Sequence, residues 1–197
     1  MSNNKGVKEA IIDATTKLIE QSDGDMDSVT ARAIADRSGV ALGLINYHFG
    51  SKENLIAICV QRIINIVLMN FAPEKVDYSK DDGLTDKERL TAFAQQTYDF
   101  LFENYPMIKI SILSDFKDYQ PRSNSAYTQL GFRLALRSNI PDVQKQLIAF
   151  SLTSIMQAAF LTGENFKQLT GYDLTIKPER DRFVSDTVAM LMEGIHG

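Results

Sequence analysis

Apolar residues in this chain recur every three or four positions in one stretch after another, and that period belongs to the α-helix. Val7, Ala10, Ile11, Ala14, Leu18 and Ile19 form one stripe, ending near Glu20. The pattern resumes over about 87–102, 106–116, 125–138, 142–162 and 178–193, with Pro106, Pro121, Pro141 and Pro178 as punctuation. Strands are required nowhere: Gly171 to Lys177 could run extended, but an isolated strand would have no partner. With 197 residues and 44% hydrophobic content, the chain can bury a substantial core in one or two domains without staples. An all-α fold is predicted.

Several classes of function lose their support early. One cysteine, Cys59, rules out an intramolecular disulfide, and with His48 and His196 as the only histidines a conventional Cys/His zinc site cannot be assembled. No cofactor or metal is expected. Met1 to Gly6 is polar and flows straight into a helical pattern, and no apolar stretch reaches about 18 residues. The sequence therefore predicts a cytoplasmic protein with no signal peptide, membrane span or membrane partner.

The most informative segment is Thr30 to Phe49. Thr30 is placed to cap a short helix, Val29 and Ile34 flank that cap as a hydrophobic staple, and Gly39 ends the helix after about two turns. Ala41 to Tyr47 then forms a second short helix with Leu44 and Ile45 turned inward beside Val40 and Phe49. Ser51 caps a longer helix from Lys52 to about Asn70, with a core stripe of Leu55, Ile58, Cys59, Ile63 and Ile66. Two short helices across a Gly-bearing turn are what a helix-turn-helix reader of the major groove needs. A composition shift over Pro73 to Asp86, with Pro73, Gly83 and the acidic pair Asp81 and Asp82, marks a loop between two modules.

The residues that fill this pattern resemble the DNA-binding domain of the tetracycline-repressor (TetR) family of bacterial transcriptional regulators. The diagnostic parts are Ile34-Ala35, Gly39-Val40, Gly43, Tyr47-His48-Phe49 and Ser51-Lys52-Glu53 with Leu55, and the resemblance spans roughly Lys5 to Asn70. It implies an N-terminal three-helix helix-turn-helix domain, residues 1–52, and a C-terminal helical bundle, residues 53–197, that binds an effector and dimerises. Residues 52–70 would form the connecting helix. It further implies a homodimer on a palindromic double-stranded DNA operator, released by a small-molecule effector.

Carried over position by position, the resemblance puts Thr30 and Arg32 at phosphates, where a hydroxyl and free N–H groups at a helix N-terminus suit an anion. Leu42, Gly43 and Asn46 fall at base-reading positions: Leu42 meets a thymine methyl, Gly43 allows close backbone approach, and Asn46 grips adenine N6 and N7. Tyr47, His48 and Lys52 are expected on phosphates. Each has a plainer reading as a cap, surface filler or satisfied fold residue. The chain also departs from the commonest family pattern. Asn46 stands where Tyr is frequent, Ala41 where Ser often caps the recognition helix, and Leu42 where a polar or basic residue is common.

In the C-terminal half Tyr98, Phe102, Met107, Phe116, Tyr127, Met156 and Phe160 are candidates to line a ligand pocket, although aromatic and Met stripes at helical spacing also describe ordinary core. The helix from Asp142 carries small residues such as Ala149, Ser154 and Ala158 among large apolar ones. Together with Phe183, Val184, Val188, Leu191 and Ile195 it is a candidate dimer element.

The whole chain has a formal net charge of -4, which by itself argues against nucleic acid. That balance is uneven. From Ser28 to Lys52 the basic residues are Arg32, Arg37 and Lys52 against the single acid Asp36, whereas residues 1–27 hold Lys5, Lys8 and Lys17 against Glu9, Asp13, Glu20, Asp23, Asp25 and Asp27. The leading expectation is a repressor. An adaptor of the same fold acting through protein contacts or ligand sensing is the alternative. An enzyme is not expected, because Cys59 lies on a core stripe with no acid or base at catalytic spacing.

Overall fold

The computed structural model describes residues 2–71, 83–121 and 123–193. Among these residues there is no strand, and the order is α1 (Ser2–Gln21), α2 (Ala31–Ser38), α3 (Leu42–Phe49), α4 (Lys52–Phe71), α5 (Asp86–Glu103), α6 (Tyr105–Lys117), α7 (Asn124–Ala135), α8 (Asp142–Thr170) and α9 (Lys177–Glu193). The fold is all-α, as the periodicity predicts. Most of the predicted loop over Pro73 to Asp86 lies outside the described residues, as do Ile195 and the side chain of Ile66.

The chain divides into two compact units, and the division does not fall at residue 52. The first unit is Met1–Phe71 with Asn104–Lys117; the second is Ala72–Glu103 with Asp118–Gly197. Thus α6, which the sequence assigns to the effector half, belongs with the helix-turn-helix.

In the first unit α1 packs on α2, α4 and α6, and α4 also packs on α3 and α6. The core collects Ile11, Ile12, Ile19, Val29, Ile34, Ile45, Leu55 and Cys59. Because α4 is covered by three partners, it buries Ile56, Val60 and Ile64 in addition to Leu55 and Cys59 of the predicted stripe, while Ile58 and Ile63 are half-buried. From α6 come Met107, Ile108, Ile110 and Ile112.

In the second unit α5 packs on α9 and α7, and α8 packs on α7 and α9. Its core is built from Leu90, Tyr98, Phe132, Leu152, Met156, Phe160, Phe183, Val184 and Val188. The helix α7 stops at Ala135 instead of running to Ser138. The Asp86 carboxylate at the start of α5 accepts hydrogen bonds from Arg137 N (2.9 Å), Ser138 N (3.0 Å) and Ser138 Oγ (2.6 Å), which draws the chain out of the helix.

The helix α8 extends past the predicted Thr162 to Thr170 across a kink at Gly163, whose φ of 41° and ψ of -105° are not helical. Among the described residues α8 alone is long and apolar enough to cross a membrane by length and composition, contrary to the expectation that no stretch reaches that size. Ile148, Ala149, Leu152, Met156, Ala159 and Phe160 are buried within the unit, so core packing accounts for part of that apolarity.

Candidate nucleic-acid interface

The interface is built from local signals. Thr30 takes an extended backbone conformation and its Oγ1 accepts a hydrogen bond from Ala33 N at 3.1 Å, satisfying one donor of the first turn of α2. Val29 and Ile34, the two staple positions, are both buried. At the other end Gly39, with φ 69°, adopts the left-handed conformation and donates its N–H to Ala35 O. Two turns of helix then stop, and the chain re-enters α3 at Ala41.

In α3 the side chains divide cleanly. Ile45 and Phe49 point into the core, Leu44 is half-buried, and Leu42, Gly43, Asn46 and Tyr47 are exposed, with Leu42 at 49% and Tyr47 at 76%. Positions 42, 43, 46 and 47 share one helical face. Ala41 has no side-chain oxygen to cap the first turn of α3. The far end is fixed: Gly50 N donates to Asn46 O (2.9 Å), Asn54 Nδ2 to Phe49 O (2.8 Å), and Asn54 N to Ser51 Oγ (3.1 Å). Asn54 thus joins the end of α3 to the start of α4. Its position three residues after the Ser51 cap is the one signal of this role in the sequence.

The basic and aromatic candidates differ in freedom. Arg32 is exposed. Lys52 Nζ donates to Met26 O at 3.1 Å, tying the first residue of α4 to the turn between α1 and α2. Arg37 donates to Gln21 Oε1 at 2.8 Å and so braces α2 against the end of α1. His48 is half-buried with its ring edge-on to Tyr47 (4.9 Å) and Phe49 (6.2 Å). Cys59 lies sealed beside Ile12 O at 3.7 Å, and burial raises its thiol pKa.

The seven candidate pocket residues are divided between the two units. Tyr98, Phe102, Met156 and Phe160 meet in the core of the second unit, where the Tyr98 hydroxyl donates to Met156 O at 3.0 Å and Phe102 sits edge-on to both Tyr98 and Phe160 at 5.2 Å. Burial pushes the Tyr98 phenol far above its ordinary pKa, against the opposing charge of Arg180. The Arg180 guanidinium lies 4.7 Å from the Phe102 ring centre. Tyr127 is exposed on α7. Met107 and Phe116 belong to α6 in the first unit, Met107 buried and Phe116 62% exposed. The second unit has a groove of about 510 Å³ along Leu84, Thr85, Ile140 and Met192, and another of about 530 Å³ along Arg133, Val143, Leu147 and Phe150. None of the seven lines either one.

Three helices of which the third is short, anchored in the core by Ile45 and Phe49 and bare on its outer face have the geometry of a helix-turn-helix. Residues 11–58 match the model of the family described as bacterial regulatory proteins, tetR family. The matched stretch takes in the end of α1, all of α2 and α3, and the start of α4. The fold is similar to those of two crystal structures from Rhodococcus sp. RHA1. A TetR-like transcriptional regulator superposes with a TM-score of 0.64 at 17% identity, covering 95% of this chain and 96% of that one. A TetR transcriptional regulator does so with a TM-score of 0.53 at 13% identity, covering 98% of each chain. No curated protein matches the sequence.

Proposed function

We propose that this chain is a TetR-type transcriptional regulator that binds a palindromic operator as a homodimer and represses transcription until a small-molecule effector lowers its DNA affinity. The observation that carries the reading is the exposed face of α3, with Leu42, Gly43, Asn46 and Tyr47 side by side. Asn46 presents a donor and an acceptor that match adenine N6 and N7, and Leu42 offers an apolar contact to a thymine methyl. Thr30 and Arg32 at the start of α2, with Tyr47, His48 and Lys52, take phosphates and set the register. Lys52 keeps donors to spare, since an ammonium has three N–H groups and one is used on Met26 O. No residue is assigned a catalytic role, and such a function places the protein in the cytoplasm with the DNA it reads.

Dimerisation is supported by the outer face of α8, where Val143 is 80% exposed and Leu147 62%, followed by Phe150 and Ala158. Phe183, Val184 and Val188 of α9 are used up in the core of the second unit, which leaves exposed Met190 and half-buried Leu191 and Met192 as the large apolar residues of α9 open to a partner. A two-fold pairs two α3 helices on half-sites one turn of DNA apart. An effector that prefers a conformation in which the two α3 helices no longer match adjacent grooves shifts the population away from DNA, and DNA must weaken effector binding by the same factor.

The test is selection of duplexes from a randomised library by the purified full chain at moderate salt, followed by footprinting on DNA flanking its own gene. A palindromic footprint is expected. Recovery of no preferred sequence overturns the reading.

A further inference from the structure

Between α1 and α2 the chain makes a turn with two successive residues in the left-handed region, Asp23 at φ 51° and Gly24 at φ 76°. Asp23 is the one residue other than glycine with positive φ among the described residues, a conformation that Asp, unlike most L-residues, takes up in turns. The turn lies against α6. A Cβ placed on Gly24 would stand 2.9 Å from Lys109 Cδ, 3.1 Å from Lys109 Cβ and 3.0 Å from the Pro106 carbonyl oxygen. Lys109 Nζ donates to Asp23 O at 3.0 Å, with its ammonium 5.6 Å from the centre of the Tyr105 ring.

The turn is braced internally from end to end. Ser22 N bonds to Ile19 O, Asp25 N to Ser22 O, Asp27 N to Asp25 Oδ1, and Ser28 Oγ to Asp25 O. Its far end holds Lys52 through Met26 O and runs through buried Val29 into Thr30. A braced segment passes on a displacement instead of absorbing it. It also carries Asp25 and Asp27 as exposed carboxylates beside residues that would bind phosphate, so where it stands affects the local potential.

Resting on the DNA-binding reading above, we propose that Gly24 and Lys109 are positioning residues for DNA binding. By gripping the turn against α6, they set the placement of the Lys52 ammonium and the Thr30 end of α2 at the phosphates. Neither residue touches DNA in this scheme.

The test uses the full chain and the duplex it selects from the randomised library. Lys109→Met keeps the apolar stem and removes the donor. It is expected to weaken binding about 5- to 10-fold and to lower the slope of log K against log salt by about 0.9, the value of one phosphate contact. Lys109→Arg, which still donates, is expected to restore both. Gly24→Ala, forced into the Lys109 and Pro106 contact, is expected to weaken binding further while circular dichroism reports the same helicity; if that variant does not fold, the lysine pair decides. An unchanged affinity and salt slope in Lys109→Met overturn the proposal. So does a loss of affinity that follows thermal stability alone with the slope intact. Failure of the unmodified chain to select any duplex is a different result, which removes the DNA-binding reading itself and this one with it.

Discussion

Tyr47 in α3 and Tyr98 in α5 are the same residue in opposite circumstances. Tyr47 is 76% exposed, its ring edge against His48, whereas Tyr98 is fully buried and gives its hydroxyl to Met156 O. The contrast extends to their neighbours. Leu42, Gly43 and Asn46 beside Tyr47 are exposed on a helix held rigid by Gly50 and Asn54, while Phe102, Phe160 and Phe183 beside Tyr98 pack ring to ring. A surface held in place from behind with its outer face open is organised for a partner. A cluster whose rings and hydroxyl are already matched is organised for stability.

The largest effect expected from this contrast is in the core. Phe160→Ala removes a buried ring that sits 5.2 Å from Phe102, and it is expected to destabilise the chain by about 3–5 kcal/mol in urea denaturation. A loss under about 1 kcal/mol would break the comparison, because only a site with room to relax escapes the cavity cost. Such a result would return Phe160 to the role of pocket lining.

Asn46→Ala and Tyr47→Ala are expected to do the reverse. Exposed positions outside caps and cores change stability by within about 0.5 kcal/mol. Loss of a bidentate base contact at Asn46 corresponds to about 1–3 kcal/mol of discrimination, read as roughly 5- to 150-fold weaker binding to the selected duplex and a relaxed preference for adenine at one position. Tyr47→Ala is expected to weaken binding to all sequences alike and to reduce the salt slope. If both variants bind as tightly as the parent, the α3 face is surface and the adaptor alternative gains.

The same contrast separates what was legible in the sequence from what was not. Thr30, Gly39 and Ser51 act on groups within four residues of themselves, so the boundaries of α2 and the start of α4 could be read from local chemistry. The exposed face of α3 followed from its inward partners Ile45 and Phe49. By contrast, the end of α7 depends on Asp86, 51 residues from Arg137, and no window around Ala135 contains that carboxylate. A helical stripe reveals that a face is buried, though not against which helix. For this reason the sequence pattern alone puts α6 in the effector half and Met107 and Phe116 with Tyr98 and Phe160, which belong to the other unit. The buried Ile56, Val60 and Ile64 of α4 were missed for the same reason, because a single stripe allows for only one partner.

The smallest effect tests that long-range control directly. Partial desolvation pushes the Asp86 carboxyl up, but hydrogen bonds from Ser138 Oγ, Ser138 N, Arg137 N and Arg89 outweigh it and hold the pKa below the ordinary aspartate value. A carboxyl depressed in the folded state binds its proton more readily when unfolded. Its contribution is therefore fully present above the unfolded value near 3.9 and is lost as pH falls through the folded value. Asp86→Asn cannot titrate, and its amide presents a donor toward groups that are themselves donors. At pH 5–7 it is expected to be less stable than the parent by about 1 kcal/mol, the scale of a net hydrogen-bond loss. In urea denaturation that gap should stay constant down to about pH 5 and narrow by pH 3, as the parent's own carboxyl becomes protonated. A gap of the same size at pH 3 would mean that the charge of Asp86 does not hold the end of α7, and that the early stop at Ala135 comes from the backbone alone.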